Sequence, residues 1–216
     1  MDKKSILEAL KKLRETKKRN FAQSVDLIIN LRDLDIKKPE EQVDFFGSLH
    51  HPTGKKRKVC ALVGPELMDE SKAVCDKTIS VDEFDKYSKD KKITKKLASE
   101  FDFFIAQANI MPKVAAAFGK VLGSRGKMPN PKAGCVVPPK TSLKPLYERL
   151  QNTIKISAKL SPMLQVFVGK ENLKDEDLAD NILDIFSQLE AKLPKGKNNI
   201  RNAFVKLTMS QAQKIM

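Results

Sequence analysis

Val59-Cys60-Ala61-Leu62-Val63 is an unbroken apolar run set between the cations Lys55-Lys56-Arg57-Lys58 and the turn Gly64-Pro65. Five apolar residues without alternation describe a strand covered on both faces, as in a parallel sheet. A second run, Phe103-Phe104-Ile105-Ala106, repeats the pattern. Between them lie helical patterns at Glu66 to Val74 and Lys91 to Ser99 and a short extended Thr78-Ile79. A helix follows from about Met111 to Val121, with Pro112 suited to its first turn. Another spans Ser142 to Asn152, with Leu143, Leu146, Tyr147 and Leu150 on one face. Strand alternating with helix specifies a three-layer α/β unit over residues 59–154.

Outside that unit the texture changes. Ile6, Ala9, Leu10 and Leu13 form a helical stripe, which Ser5 with Glu8 is placed to cap. Val25, Leu27, Ile29 and Leu31 then alternate strictly, the mark of a strand with one buried face. Val43 to Leu49 is a second extended candidate. Residues 154–157 and 164–168 alternate again, and Leu178, Ile182, Ile185, Phe186 and Leu189 line an amphipathic helix with acids in its first turn. Ala203 to Met209 alternates last. One-sided strands at both ends need each other to complete a sheet. The expected fold class is therefore α/β (α+β) with two domains. One is discontinuous, 1–58 plus 155–216; the other, 59–154, is inserted in it. Lys58 and Lys155 become the hinge. Antiparallel pairing of the first and last strands brings Phe21 beside Thr208 and Met209.

The 216 residues carry a formal net charge of +14. That excess implies a polyanionic partner, and nucleic acid fits better than membrane because no apolar run approaches the ~20 residues of a span. Residues 1–20 hold eight cations against three anions, and no acid follows Glu190 while Lys192, Lys195, Lys197, Arg201, Lys206 and Lys214 do. Cys60, Cys75 and Cys135 lack paired metal spacing and read as reduced thiols of a cytosolic protein. His50 and His51, the only histidines, read as loop residues. No metal and no cofactor is expected. Phe21 and Met209, on their own, read first as core residues.

Leu122-Gly123-Ser124-Arg125-Gly126-Lys127-Met128-Pro129-Asn130-Pro131-Lys132-Ala133-Gly134 is the most specified loop, and its alternatives are a plain connector and an anion-facing surface. It is no phosphate-binding P-loop: Val121 stands where the first Gly belongs, Met128 where Ser or Thr belongs, and two prolines block the following helix. A nucleotide-binding α/β enzyme is the rival reading. Against it, the Val59 strand runs into Gly64-Pro65-Glu66 with no Gly-x-Gly-x-x-Gly, and no Ser-His-Asp or Cys-His set exists. A general nucleic-acid-binding protein is the closer alternative.

This loop resembles the signature of the ribosomal protein L1 family, of archaeal type. The resemblance extends, in order, to Lys18-Arg19-Asn20-Phe21, to Phe101-Asp102-Phe103-Phe104-Ile105-Ala106-Gln107 and to Lys206-Leu207-Thr208-Met209. It implies a split β-α-β domain made from both chain ends and an inserted Rossmann-like domain. It implies a non-enzymatic, cytoplasmic, ribosome-bound protein that is monomeric off the ribosome. Implied partners are large-subunit rRNA, exit-site tRNA leaving through a mobile stalk, and the protein's own mRNA leader, which it would repress. The implied RNA contact comprises Arg19, Phe21, Lys206, Thr208 and Met209. Arg125, Lys127, Met128, Asn130 and Lys132 become a secondary RNA contact or interdomain loop. Two departures stand out: Ser210 replaces the family's Gly after Thr-Met, and Leu49 to Gly54 only approximates its Leu-Pro-His-Gly hinge.

Overall fold

The two strand styles are laid down in separate sheets. In chain order the elements are α1 (Lys3–Arg14), β1 (Ser24–Leu31), β2 (Val43–Ser48), β3 (Val59–Val63), α2 (Met68–Val74), β4 (Lys77–Ser80), α3 (Phe84–Lys89) and α4 (Lys91–Glu100). They continue with β5 (Phe103–Gln107), α5 (Met111–Ser124), β6 (Val136–Val137), α6 (Lys144–Gln151), β7 (Thr153–Ala158), β8 (Met163–Lys170), α7 (Asp175–Glu190), β9 (Ile200–Leu207) and β10 (Gln213–Lys214). This computed structural model describes residues 2–17, 19–38, 41–139, 141–159 and 161–216; Lys18, part of the Lys18 to Phe21 motif, lies outside them.

Residues 1–55 and 152–216 form the first unit and residues 56–151 the second. The chain thus crosses upstream of both Lys58 and Lys155. Lys58 is tied to the second unit, its carbonyl accepting from Asp102 N–H at 2.9 Å, and Lys155 sits inside β7 opposite Phe46.

In the first unit a four-stranded antiparallel sheet runs β10-β9-β1-β8, beside a two-stranded sheet β2-β7. The first and last long strands do pair: Val25 lies opposite Leu207 and Ile29 opposite Ala203. β8 and β9 are both antiparallel to β1 and flank it, with α7 connecting them, which is a split β-α-β arrangement. Every second residue of β1 is buried, as its alternation requires. Those residues join the stripes of α1 and α7 in one core that includes Ile6, Leu13, Leu27, Ile182 and Val205. The expected capping box does not form. α1 already begins at Lys3, placing Ser5 within the helix. Packing on α7 carries the helix back by a turn, with the Lys3 ammonium paired to Asp180.

In the second unit four parallel strands run β4-β3-β5-β6. All five residues of β3 are buried, as an unbroken apolar run demands. Cys60, Leu62, Phe104 and Ala106 face a cluster with α4 and α5 residues such as Leu97, Val114 and Phe118. Ala61, Val63 and Ile105 alternate to the other face. The sequence patterns missed α3, whose buried Phe84 meets Phe118 edge-on at 5.2 Å. Burial pushes the Cys60 thiol up to about 12 and those of Cys75 and Cys135 up to about 11, so all three are poor nucleophiles.

The carboxyl ends of β3 and β5, where strand order reverses, would hold a nucleotide in an enzyme of this architecture. Here the buried Gln107 fills that position. Its Oε1 accepts from Gly64 N–H at 2.9 Å and its Nε2 donates to Glu66 at 2.8 Å. A carboxylate and Pro65 occupy the place where phosphate-binding N–H groups would be needed.

Candidate nucleic-acid interface

The pairing of β1 with β9 decides where the expected contact residues go. Because Leu207 lies opposite Val25, the turn Thr208-Met209-Ser210 emerges beside the entrance to β1. The ladder is extended there by side chains. Thr208 N–H donates to the Ser24 carbonyl at 3.1 Å, and Ser24 N–H donates to the Thr208 hydroxyl at 2.9 Å. Met209 N–H donates to Gln23 Oε1 at 3.1 Å.

Gln23 is 2% exposed and is the buried pin of this corner. Besides holding Met209, its carbonyl accepts from Glu171 N–H at 2.9 Å and its own N–H donates to Glu171 Oε2 at 3.2 Å. The turn itself is closed by Ser210 N–H on the Leu207 carbonyl at 3.2 Å, and the Ser210 hydroxyl accepts from Leu207 N–H at 2.8 Å. Ser210 is not among the residues with positive φ, so the family's Gly is not needed here for left-handed backbone.

Phe21 is 53% exposed and Met209 59%. The core reading of these two residues is overturned: neither packs inward, and both present large apolar surface beside hydroxyls and cations. Arg19 is exposed, with no hydrogen bond or ion pair among the described residues. Lys206 projects from the sheet face opposite α1 and α7, across from Asp26. Lys170 stands on the other side of β1 and donates to the Ser24 hydroxyl and the Ala22 carbonyl, each at 3.3 Å. Burial pushes the Asp26 carboxyl up from its ordinary range, against the opposing pull of Lys206 and Lys170.

Arg19, Phe21, Lys206, Thr208 and Met209 are therefore gathered at one end of one sheet. Sequence reasoning missed Gln23, Asp26, Lys170 and Glu171, which complete that corner. None is periodic or motif-bearing, and only the register of β8 and β9 against β1 reveals them.

The second set of expected contacts has structural work within its own unit. Arg125 donates to the Lys95 carbonyl at 3.1 Å and to Ser99. The Lys127 ammonium donates to the carbonyls of Ala98 at 2.9 Å and Phe101 at 2.7 Å, capping the end of α4. Met128 packs on the core. Asn130 caps a 3-10 turn by accepting from Lys132 N–H at 2.9 Å, and Gly134, with φ 74°, ends it. Cys135 then delivers its carbonyl to Ala106 N–H at 2.8 Å, starting β6. The loop's prolines and glycines thus shape a connector. Of its five named residues, Lys132 alone has an exposed side chain with no hydrogen bond or ion pair among the described residues.

Among the described residues no group of His, Cys, Asp and Glu is arranged to hold a metal ion, and no helix is long and apolar enough to cross a membrane.

Comparison with known proteins agrees with this architecture. Residues 13–211 match the model of the Ribosomal protein L1p/L10e family. The chain is 42% identical over 213 residues to large ribosomal subunit protein uL1 of Methanobrevibacter smithii, covering 98% of each chain. It is 41% identical over 216 residues to that of Methanothermococcus thermolithotrophicus, covering 100% of this chain and 99% of the relative. Against that of Methanocaldococcus jannaschii it is 38% identical over 216 residues, covering 100% and 96%. Matched from end to end by proteins of the large ribosomal subunit, the chain belongs to the ribosomal protein L1 family, a family of structural proteins and not of enzymes.

Proposed function

We propose that this large-subunit ribosomal protein, cytoplasmic and ribosome-bound, holds a folded segment of large-subunit rRNA on the first unit, at the corner made by Arg19, Phe21, Lys206, Thr208 and Met209. The observation that carries this reading is the exposure of Phe21 and Met209 at the corner that holds the Thr208 hydroxyl, with Met209 fixed by the buried Gln23 and Thr208 by Ser24. Exposed aromatic and thioether surface covers ribose and base faces, hydroxyls meet 2′-OH groups, and cations meet phosphates. Asp26 adds an acceptor for a ribose 2′-OH, which DNA lacks.

On the ribosome the protein then forms the mobile stalk through which deacylated tRNA leaves the exit site, and it represses its own message by binding a similar fold in the leader. Membership of the family supports those two roles, and the resemblance of the chain's motifs to the family's is what suggests them. The exposed Lys132 is the remaining candidate for a contact by the second unit.

The test is binding of a structured large-subunit rRNA fragment at physiological ionic strength, with duplex DNA as competitor. RNA retained against excess DNA supports the reading. Equal competition would reduce the protein to a general binder of polyanions.

A further inference from the structure

Next to Phe21 lies a cleft of about 540 Å³, walled by Arg14, Arg19, Asn20, Phe21, Glu171 and Asn172. It is a recess open to solvent and lined mainly by polar groups, the form suited to part of a larger ligand rather than to an enclosed small molecule. The walls differ in chemistry. Arg14 is held in a fixed plane, its Nε donating to Asp175 at 2.6 Å and its Nη2 to the Leu173 carbonyl at 2.7 Å. Glu171 is oriented by Gln23, which occupies Oε2 and leaves Oε1 without a hydrogen bond among the described residues. Arg19, exposed and without a hydrogen bond or ion pair among the described residues, lines the recess with its guanidinium, and Phe21 supplies an exposed ring.

A cationic cleft that contains a carboxylate is a poor trap for bare phosphate. It suits a ligand that presents an anion together with a row of hydrogen-bond donors. Among the four RNA bases, guanine alone carries two adjacent donors on its Watson–Crick edge, N1–H and N2–H. Adenine and cytosine set a donor beside an acceptor, and uracil sets one donor between two carbonyls. A carboxylate accepts and cannot donate, so it rejects the acceptor groups of the other three. Unpaired bases in loops and bulges are read in this manner, by stacking and by their exposed edges.

Resting on the RNA-binding reading above, we propose that this cleft takes a single unpaired guanosine of the bound RNA, stacked on Phe21 with its Watson–Crick edge on Glu171 and its phosphate on Arg19. The site would make the family's RNA contact base-selective at one position in this chain.

The experiment uses the full chain and three ribonucleotide pentamers: all-uridine, and uridine with a central guanosine or a central adenosine. Affinities are read by fluorescence anisotropy, with binding of the folded rRNA fragment measured alongside. The guanosine pentamer should bind about ten-fold tighter than the other two. Glu171→Gln, which keeps an acceptor for Gln23 N–H, should bring its affinity down to that of the adenosine pentamer. Equal affinities for all three pentamers in the native chain, or a guanosine preference that survives Glu171→Gln, overturns the proposal. Should the rRNA fragment still bind in that case, only the guanosine cleft falls. Should the fragment also fail to bind, the RNA-binding reading falls with it.

Discussion

Truncating Phe21 or Met209 to Ala removes surface that RNA would cover while taking almost nothing from the core, since both side chains stand more than half exposed. Each substitution should weaken binding of the rRNA fragment by about 1–3 kcal/mol, roughly five- to 150-fold, as for a lost stacking platform. Stability should change by no more than about 0.5 kcal/mol. Anisotropy and thermal melting on the same samples separate the two effects, and a large drop in melting temperature without loss of affinity would return these residues to a structural role. Thr208 differs because its hydroxyl already accepts from Ser24 N–H. Thr208→Val should cost about 1–3 kcal/mol of RNA binding and some stability as well, whereas Thr208→Ser keeps the hydroxyl and should retain both. Asp26 gives a pH signature. Its folded pKa lies above the ordinary 3.8, so between those values the native state binds the proton more tightly than the unfolded chain. Stability therefore falls as pH rises through that window and stays at the lower level above it. Asp26→Asn should accordingly raise the melting temperature at neutral pH and leave it nearly unchanged below 3.8; no difference between the two conditions would mean that burial exacts no penalty there.

At the level of elements, the patterns that come from local burial were legible in the sequence. The unbroken Val59 to Val63 run became a fully buried parallel strand, and the strict alternation of Val25 to Leu31 became a one-sided antiparallel one. The stripes of α1 and α7 are all buried. What escaped is set by distant partners. α3 buries Phe84 within an otherwise polar segment, and β6 and β10 are two-residue strands that exist only because a neighbour is present. The glycine- and proline-rich loop was recognisable as shaped, yet nothing in its residues showed that Arg125 and Lys127 turn back onto the end of α4. Lys127→Met should therefore destabilise the protein by about 1–3 kcal/mol, because two helix-end carbonyls lose a charged donor, while rRNA affinity stays unchanged. Lys132→Ala should leave the melting temperature in place. A Lys127→Met chain with native stability and weakened RNA binding would make that loop a reader of RNA after all.

For the molecule as a whole, the charge of +14 sets a salt dependence. Each phosphate neutralised contributes roughly 0.7–0.9 to the slope of log affinity against log salt, so several contacts predict a slope of several units, and a flat response would show the cations to be idle. The organisation of the first unit predicts more. Replacing residues 56–151 by a short linker removes the second unit and leaves every residue of the proposed interface in place. That shortened chain should fold and bind the rRNA fragment; a folded product without affinity would move RNA recognition to the second unit.

Ser24 and Thr208, which join to build the RNA corner, are 184 positions apart in the chain. Protein synthesis proceeds from the N-terminus, so β1 emerges early and waits without its neighbour. The contiguous middle segment can close by itself in the meantime, as independent segments do during translation. On the proposed reading, recognition switches on only when the final strand has been delivered. A message broken before that point yields a product rich in lysine that lacks the assembled corner, so on that reading unfinished chains do not compete for ribosomal RNA.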